Sequence, residues 1–290
     1  MDWTIKLKNL SLKYGKIQAL NNVSFSLSDK KIYGLLGRNG AGKTSLLSII
    51  ASFQRQTEGS IEISGKEPFE NRKIMREVGF FYHKDLKDEP GTVKEMIDDA
   101  KRYRPNFDEN YANFLLERFK LSPEREVKKL SKGMQAALNA TVGLASRTPI
   151  TIFDETYNGM DAPTREIFFE EILNDQANVP RLMIISTHLV SEMEYLFDEI
   201  LILHNGKLLL QEDYESLISK GSTVLGNKEE VDAFVRSKKQ LHSKELGNMK
   251  QVTILGELSD GEKEAALKKG LEIGSVSLHE LFIHLTGEEV

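Results

Sequence analysis

The run Gly37-Arg38-Asn39-Gly40-Ala41-Gly42-Lys43-Thr44 has the spacing G-x-x-x-x-G-K-[ST]. Its glycines let successive backbone N–H groups curl around an anion without Cβ clashes, and a helix starting there points its positive end at the same charge. Lys43 is placed to reach the β- and γ-phosphates of a nucleotide, and the Thr44 hydroxyl to ligate Mg²⁺. Gly37, Asn39, Gly40, Ala41, Gly42, Lys43, Thr44 and Ser45 are the candidate phosphate-loop residues. A plain glycine-rich turn is the alternative.

Phosphate chemistry also needs an acidic strand end. Ile150-Thr151-Ile152-Phe153-Asp154-Glu155 supplies one. Asp154 would hold Mg²⁺ through water, and Glu155 would polarise the attacking water as general base. Taken alone, such a run is a strand ending in a charged turn. His188, in Ser186-Thr187-His188, follows another apolar run and would face the ligand crevice at the sheet's edge. A lone histidine there also reads as a surface or capping residue.

These side chains need a scaffold. Ile32–Leu36 reads as a buried strand before the loop, and Thr44–Phe53 as an apolar helix after it. Thr4–Leu10 and Ala19–Leu27 alternate polar and apolar, as half-buried strands do, and Gly59–Gly65 reads as a short strand. From about 84 to 148 apolar residues recur at helical spacing, which predicts a helical insertion. Strands return at Ile150–Phe153, Leu182–Ser186 and Glu199–Leu203, each after a helical pattern, with Lys207–Gln211 as a last strand or hairpin arm. Such alternation predicts an α/β fold around a parallel sheet.

After about Gly221 a second, small α+β unit is expected. Asn227 with Glu230 predicts a helix over Glu229–Gln240, and Gln251–Leu258 reads as a strand. Ser277 with Glu280 forms a capping-box pattern for a helix whose face carries Leu278, Leu281, Phe282 and Leu285.

Composition narrows the function classes. The chain has 290 residues, 40% of them hydrophobic, and a net charge of −5. With no cysteine, thiol nucleophiles, disulfides and Cys-based zinc sites are excluded. The mild acidity argues against a nucleic-acid partner. No apolar stretch approaches the ~18 residues of a membrane span, and Met1-Asp2-Trp3-Thr4 does not open a signal peptide. A soluble intracellular protein is expected, held at any membrane by a partner rather than by insertion.

Together these residues resemble the ATPase subunit of an ABC transporter, over about Ile5 to Glu212. The deciding string is Leu130-Ser131-Lys132-Gly133-Met134-Gln135, which is similar to the family's signature and stands between the phosphate loop and the Asp-Glu strand. The resemblance implies a P-loop NTPase cassette over 1–220, with an antiparallel β part and a helical subdomain at 84–148. A small C-terminal domain would occupy 221–290. It also implies ATP and Mg²⁺ as cofactors. Ser131 and the Gly133 amide would bind the γ-phosphate held by a second subunit, in a homodimer or a heterodimer with a related ATPase.

Other positions follow from the same resemblance. Tyr14 falls at the adenine-stacking aromatic, with a strand-end core tyrosine as the alternative. Asp161, in Asn158-Gly159-Met160-Asp161, matches the D-loop acid, and His188 the switch histidine. His83 stands where the family's Q-loop glutamine follows the strand, which makes it a candidate contact to the metal, the water and the membrane partner. Lys132 and Met134 depart from the usual signature, and Thr156-Tyr157 replaces the usual Pro-Thr.

The Lys-Gly-Met signature and the C-terminal run Val276–Gly287 resemble exporters of the ABC-2 type, the group of bacitracin-resistance and lantibiotic-immunity ATPases. Length and lack of cysteine also suit ATPases of phenol-soluble modulin exporters. The implied function is ATP-driven export of amphipathic peptides or similar compounds through a separate transmembrane permease, from the cytoplasmic face of the membrane. The alternative is a non-transport ABC ATPase acting on ribosomes or DNA, although the chain has one phosphate loop and no basic linker. No Asn-Lys-x-Asp motif points to a GTPase.

Overall fold

A computed structural model describes residues 2–28 and 30–287. Residues 1 and 288–290, at the outer ends of the two expected units, lie outside the described residues.

Alternating residues build the first sheet. β1 (Ile5–Tyr14) pairs antiparallel with β2 (Ile17–Leu27) and with β4 (Glu58–Ile63), in the order β2-β1-β4. The alternation breaks at Asn9, where φ is +49° and the register shifts; beyond this bulge Leu10, Ser11 and Leu12 are all buried. Gly59 lies against the bulge, where a Cβ would sit 2.3 Å from the Asn9 carbonyl oxygen.

The second sheet carries the chemistry. Its members are β3 (Ile32–Leu36), β5 (Val78–Tyr82), β6 (Ile150–Asp154), β7 (Leu182–Thr187), β8 (Glu199–His204) and β9 (Lys207–Asp213). The order is β5-β6-β7-β3-β8-β9, parallel except for β9, which turns back through Asn205-Gly206, both at positive φ. β3, β6 and β7 are buried along their whole length, as strands covered on both faces must be. Alternate residues feed two cores. Tyr33 and Leu35 join the antiparallel sheet and α1 (Lys43–Ile50), whereas Ile32 and Leu36 face the helices on the other side.

Between β4 and β5 lies the short α2 (Arg72–Met75). The expected helical insertion fills the space between β5 and β6 with α3 (Val93–Tyr103), α4 (Glu109–Arg118) and α5 (Lys132–Ala145). α5 is more than an insertion element. Gly143 lets it lie directly on the sheet, since a Cβ there would meet the Phe153 ring at 2.4 Å. A buried ionic network ties α4 to α6 (Ala162–Asn178): Arg147 bridges Asp108, the cap of α4, to Asp175, which Arg181 also binds. Burial raises the pKa of the Asp175 carboxyl, against the pull of Arg181 and Arg147. Breaking such a buried pair on one side costs about 3–5 kcal/mol.

After α7 (Val190–Met193) and α8 (Tyr214–Ser219) the chain builds a third sheet. It runs β10 (Gly221–Asn227), α9 (Lys228–Val235), β11 (Lys239–Leu246), β12 (Met249–Leu255), α10 (Asp260–Lys268) and β13 (Glu272–Ser275). The order β11-β12-β10-β13, antiparallel throughout, is the split βαβ arrangement, βαββαβ. The helix expected over Glu229–Gln240 ends at Val235, because Lys239 and Gln240 already belong to β11. Asn227 accepts from the Glu229 N–H, not that of Glu230.

The last helix, α11 (Leu278–Thr286), starts at Ser277, which accepts from the Glu280 N–H at 3.2 Å. Leu278, Leu281 and Phe282 are buried as expected, while Leu285 is 39% exposed and stands off that face. The buried residues join the core of the large α/β unit rather than that of the small sheet, and the Leu278 N–H donates to Glu194 at 2.9 Å. No helix among the described residues is long and apolar enough to cross a membrane.

Candidate nucleotide-binding site

β3 ends at Leu36, and the phosphate loop joins it to α1. Gly40 and Gly42 adopt φ of +80° and +105°, which glycine takes without steric cost. Gly42 has a further constraint: a Cβ there would meet the Ala19 carbonyl oxygen at 2.7 Å. Asn39, Gly40, Gly42, Lys43, Thr44 and Ser45 line one open pocket with Tyr14, Ile17 and Glu155. Gly37 and Ala41 form its foundation. Gly37 offers its carbonyl to Lys43 Nζ at 2.8 Å, and Ala41 accepts from the Gly206 N–H at 3.0 Å.

Lys43 is buried, and its ammonium faces Glu155 Oε1 at 3.4 Å. The Thr44 hydroxyl donates to Asp154 Oδ2 at 2.7 Å, while Ser186 donates to the other oxygen of Asp154. Both Asp154 contacts follow from sheet topology, since β6 ends beside β7 and the loop leaves the neighbouring β3. Glu155 takes φ of +48°, a conformation costing a side-chain-bearing residue about 1–3 kcal/mol. There its carboxylate accepts from Asn158 Nδ2 at 2.9 Å and stands 3.2 Å from His188 Nδ1. Burial pushes the Glu155 carboxyl up, but the hydrogen bonds from Asn158 and His188, with the Lys43 charge, outweigh it and hold it below the usual carboxylate range. Lys43 and His188, far apart in sequence, thus converge on the Glu155 carboxylate.

Tyr14 lies at the end of β1 beside the hairpin turn, 46% exposed at the pocket rim with the still more open Ile17. An exposed rim ring suits stacking, and a core role for Tyr14 does not fit. Ile17 gave no sequence signal, because an exposed apolar residue at a strand start looks like any other.

Ser131 caps α5 by accepting from the Met134 N–H at 3.3 Å, and it is exposed. Gly133, in the first turn, packs against the D-loop, where a Cβ would sit 2.6 Å from the Gly159 oxygen. Asp161 caps α6 through the Thr164 N–H, and hydrogen bonds to Thr164 lower its pKa. Among the described residues no hydrogen bond joins Ser131, Gly133 or Asp161 to the phosphate loop.

His83 is the expected metal contact that the structure places elsewhere. Tyr82 pairs in register with Asp154, but the next residue, His83, lines a separate pocket with Phe80, Tyr82, Lys84, Gln135 and Asn139. It makes no bond to Thr44 or Asp154. Gln135 closes the signature string without being one of the candidate site residues. Its buried amide donates to the Leu130 carbonyl and accepts from the Leu86 N–H, both at 3.1 Å, pinning the segment after β5 to α5. Among the described residues, no group of three or more His, Asp or Glu side chains is arranged to hold a metal by itself.

Comparison with known proteins gives this geometry a family. The ABC transporter family model matches residues 20–158. The lantibiotic transport ATP-binding protein of Streptococcus pyogenes is 31% identical over 217 residues, spanning 73% of this chain and 91% of that protein. The bacitracin transport ATP-binding protein of Bacillus licheniformis is 31% identical over 226 residues, 75% of this chain and 72% of its own. The Nod factor export ATP-binding protein I of Burkholderia orbicola is 26% identical over 307 residues, 99% of this chain and 98% of its own. A solved ATP-binding subunit of an ABC transporter shares the fold, with a TM-score of 0.62 and 22% identity over 80% of this chain and 92% of that one. The chain therefore belongs to the ABC transporter family, as one of its ATP-binding, ATP-hydrolysing cassettes.

Proposed function

We propose that this cassette powers an exporter of amphipathic peptides or related membrane-active compounds through a separate transmembrane permease, standing on the cytoplasmic face of the membrane. The observation that carries the reading is the convergence of Lys43 and His188 on the Glu155 carboxylate beside the phosphate loop. The names of the lantibiotic and bacitracin transport relatives support the substrate class.

In this reading the loop amides, Lys43 and Ser45 hold the phosphates while Tyr14 stacks on adenine. Lys43 leaves Glu155 for the nucleotide, which frees that carboxylate to take a proton from the attacking water. His188 hydrogen-bonds the γ-phosphate. Thr44 and Asp154 fit Mg²⁺, since both offer oxygen ligands, adjacent at 2.7 Å. Bound there, Mg²⁺ would neutralise charge developing on the phosphates. His83 offers nitrogen in another pocket and is not part of this set.

Two cassettes, identical or related, would close on two ATP, with Ser131 and Gly133 of each serving the nucleotide of the other. The permease would dock around His83, where Phe53, Phe80 and Tyr82 form a mutually packed aromatic patch with Phe53 and Tyr82 exposed. Residues 1–220, with α11 packed on their core, would act as the motor, and the β10–β13 sheet as an appended unit for dimer contact or regulation. Affinity isolation from solubilised membranes tests the proposal. A co-purifying permease and peptide-stimulated hydrolysis are expected; co-purification with ribosomes and no membrane protein would overturn it.

A further inference from the structure

We infer that Tyr157, which stands outside the pocket, is a positioning residue that sets the tautomer of His188. Tyr157 is 1% exposed, and its hydroxyl lies 2.7 Å from Thr187 Oγ1 and 3.5 Å from His188 Nδ1. The His188 backbone N–H also donates to it, at 3.3 Å.

Counting protons and lone pairs gives this cluster a direction. Thr187 is fully buried, and its oxygen accepts from the Leu189 N–H at 2.9 Å. Its own proton has one acceptor within reach among the described residues, the Tyr157 oxygen. That oxygen then accepts from Thr187 and from the His188 N–H. The remaining Tyr157 proton has His188 Nδ1, at 3.5 Å, as its acceptor whenever that nitrogen is bare. Burial pushes the Tyr157 phenol up to about 12, so it stays a neutral donor.

Nδ1 therefore has two partners with opposite demands. Glu155 Oε1, at 3.2 Å, accepts and so calls for a proton on Nδ1. Tyr157 donates and calls for a bare Nδ1. In a neutral ring the second choice puts the proton on Nε2, where it becomes a donor able to meet a phosphate oxygen. The resting ring sits with Glu155. Once Glu155 turns to water, Tyr157 is the partner that holds the ring in its donor tautomer. The inference rests on the reading of His188 as a phosphate contact.

The test is Tyr157→Phe, which removes the hydroxyl and leaves the ring packed against Phe169. A roughly tenfold fall in kcat for ATP hydrolysis is expected, the factor of one lost hydrogen bond, with KM little changed; Tm falls as well, because the Thr187 proton and the His188 N–H lose their acceptor. Histidine-¹⁵N spectra with a non-hydrolysable ATP analogue, assigned by loss of the His188→Ala signal, should show His188 moving from the Nε2–H to the Nδ1–H form. Thr187→Val leaves Nδ1 as the acceptor for the Tyr157 proton and should keep the Nε2–H form. An unchanged tautomer in Tyr157→Phe overturns the inference, as does a kcat that falls only in step with KM. His188→Ala separates the two levels. If it hydrolyses ATP like the parent, the reading of His188 fails; if it is impaired while Tyr157→Phe is not, the inference about Tyr157 fails alone.

Discussion

The phosphate-loop half of the site and the signature half are built differently. In the first, side chains touch one another: Thr44 on Asp154, Lys43 and His188 on Glu155, Asn158 behind it. In the second, Ser131 and Asp161 are occupied in capping their own helices, and Gly133 in packing. In the proposed reading, the half whose members already interact binds nucleotide in a single chain. The half that presents a helix start and a capping hydroxyl acts, in the same reading, on a nucleotide brought by another chain. The halves touch where Gly133 meets Gly159, next to the Asn158 that holds Glu155.

The contrast is broken most sharply at Glu155. Glu155→Gln keeps the shape and removes the base, so hydrolysis should fall by about 10²–10⁴-fold while ATP binding and closure survive. An ATP-bound dimer trapped on a sizing column is the expected result, and a wild-type rate would remove Glu155 from the role of base. Lys43→Ala comes next. It takes away a buried cation, with an expected loss of about 2–5 kcal/mol in nucleotide affinity, measured by titration at concentrations where the chain is a monomer. Unchanged affinity would refute the assignment of the loop.

Gly133→Ala acts at the junction of the halves. Its Cβ would lie 2.6 Å from the Gly159 oxygen, an overpacking worth about 1–3 kcal/mol. The displaced D-loop carries Asn158, so hydrolysis should fall together with Tm while the affinity of a single chain for ATP holds. A variant with full activity would mean that the contact relaxes without moving Glu155.

The same contrast separates what the sequence makes legible from what it hides. The phosphate loop can be read because its chemistry demands particular residues at fixed spacing, and β3, β6 and β7 because strands buried on both faces are continuously apolar. The βαββαβ unit is harder to see. Its edge strand β11, Lys-Gln-Leu-His-Ser-Lys-Glu-Leu, is mostly exposed and has no apolar alternation, and α10 fully buries only Ala266. The apolar face of α11 is visible at Leu278, Leu281 and Phe282, but not the surface that covers it, which belongs to the larger core. Tyr157 acts through one hydroxyl at the meeting of two strand ends, a contact that no local pattern encodes. His83 shows the reverse: its position by β5 fits a motif, while its ring lies in another pocket.

The smallest expected effect belongs to Ser131→Ala. Its hydroxyl accepts one N–H at the start of α5, and losing such a cap costs about 1 kcal/mol. A purely structural role predicts a small drop in Tm and nothing else. A role on the partner's nucleotide predicts more: hydrolysis that rises less steeply with protein concentration, at unaltered ATP affinity for the single chain. Restoring the acceptor with Ser131→Asn or Ser131→Asp should recover Tm in both cases, because either side chain caps a helix. The two then diverge on activity. Asp places a negative charge where the γ-phosphate of the partner would lie and should leave hydrolysis impaired, whereas Asn should restore part of it. Equal recovery by both would show that Ser131 only caps its helix and that the signature half lies away from nucleotide.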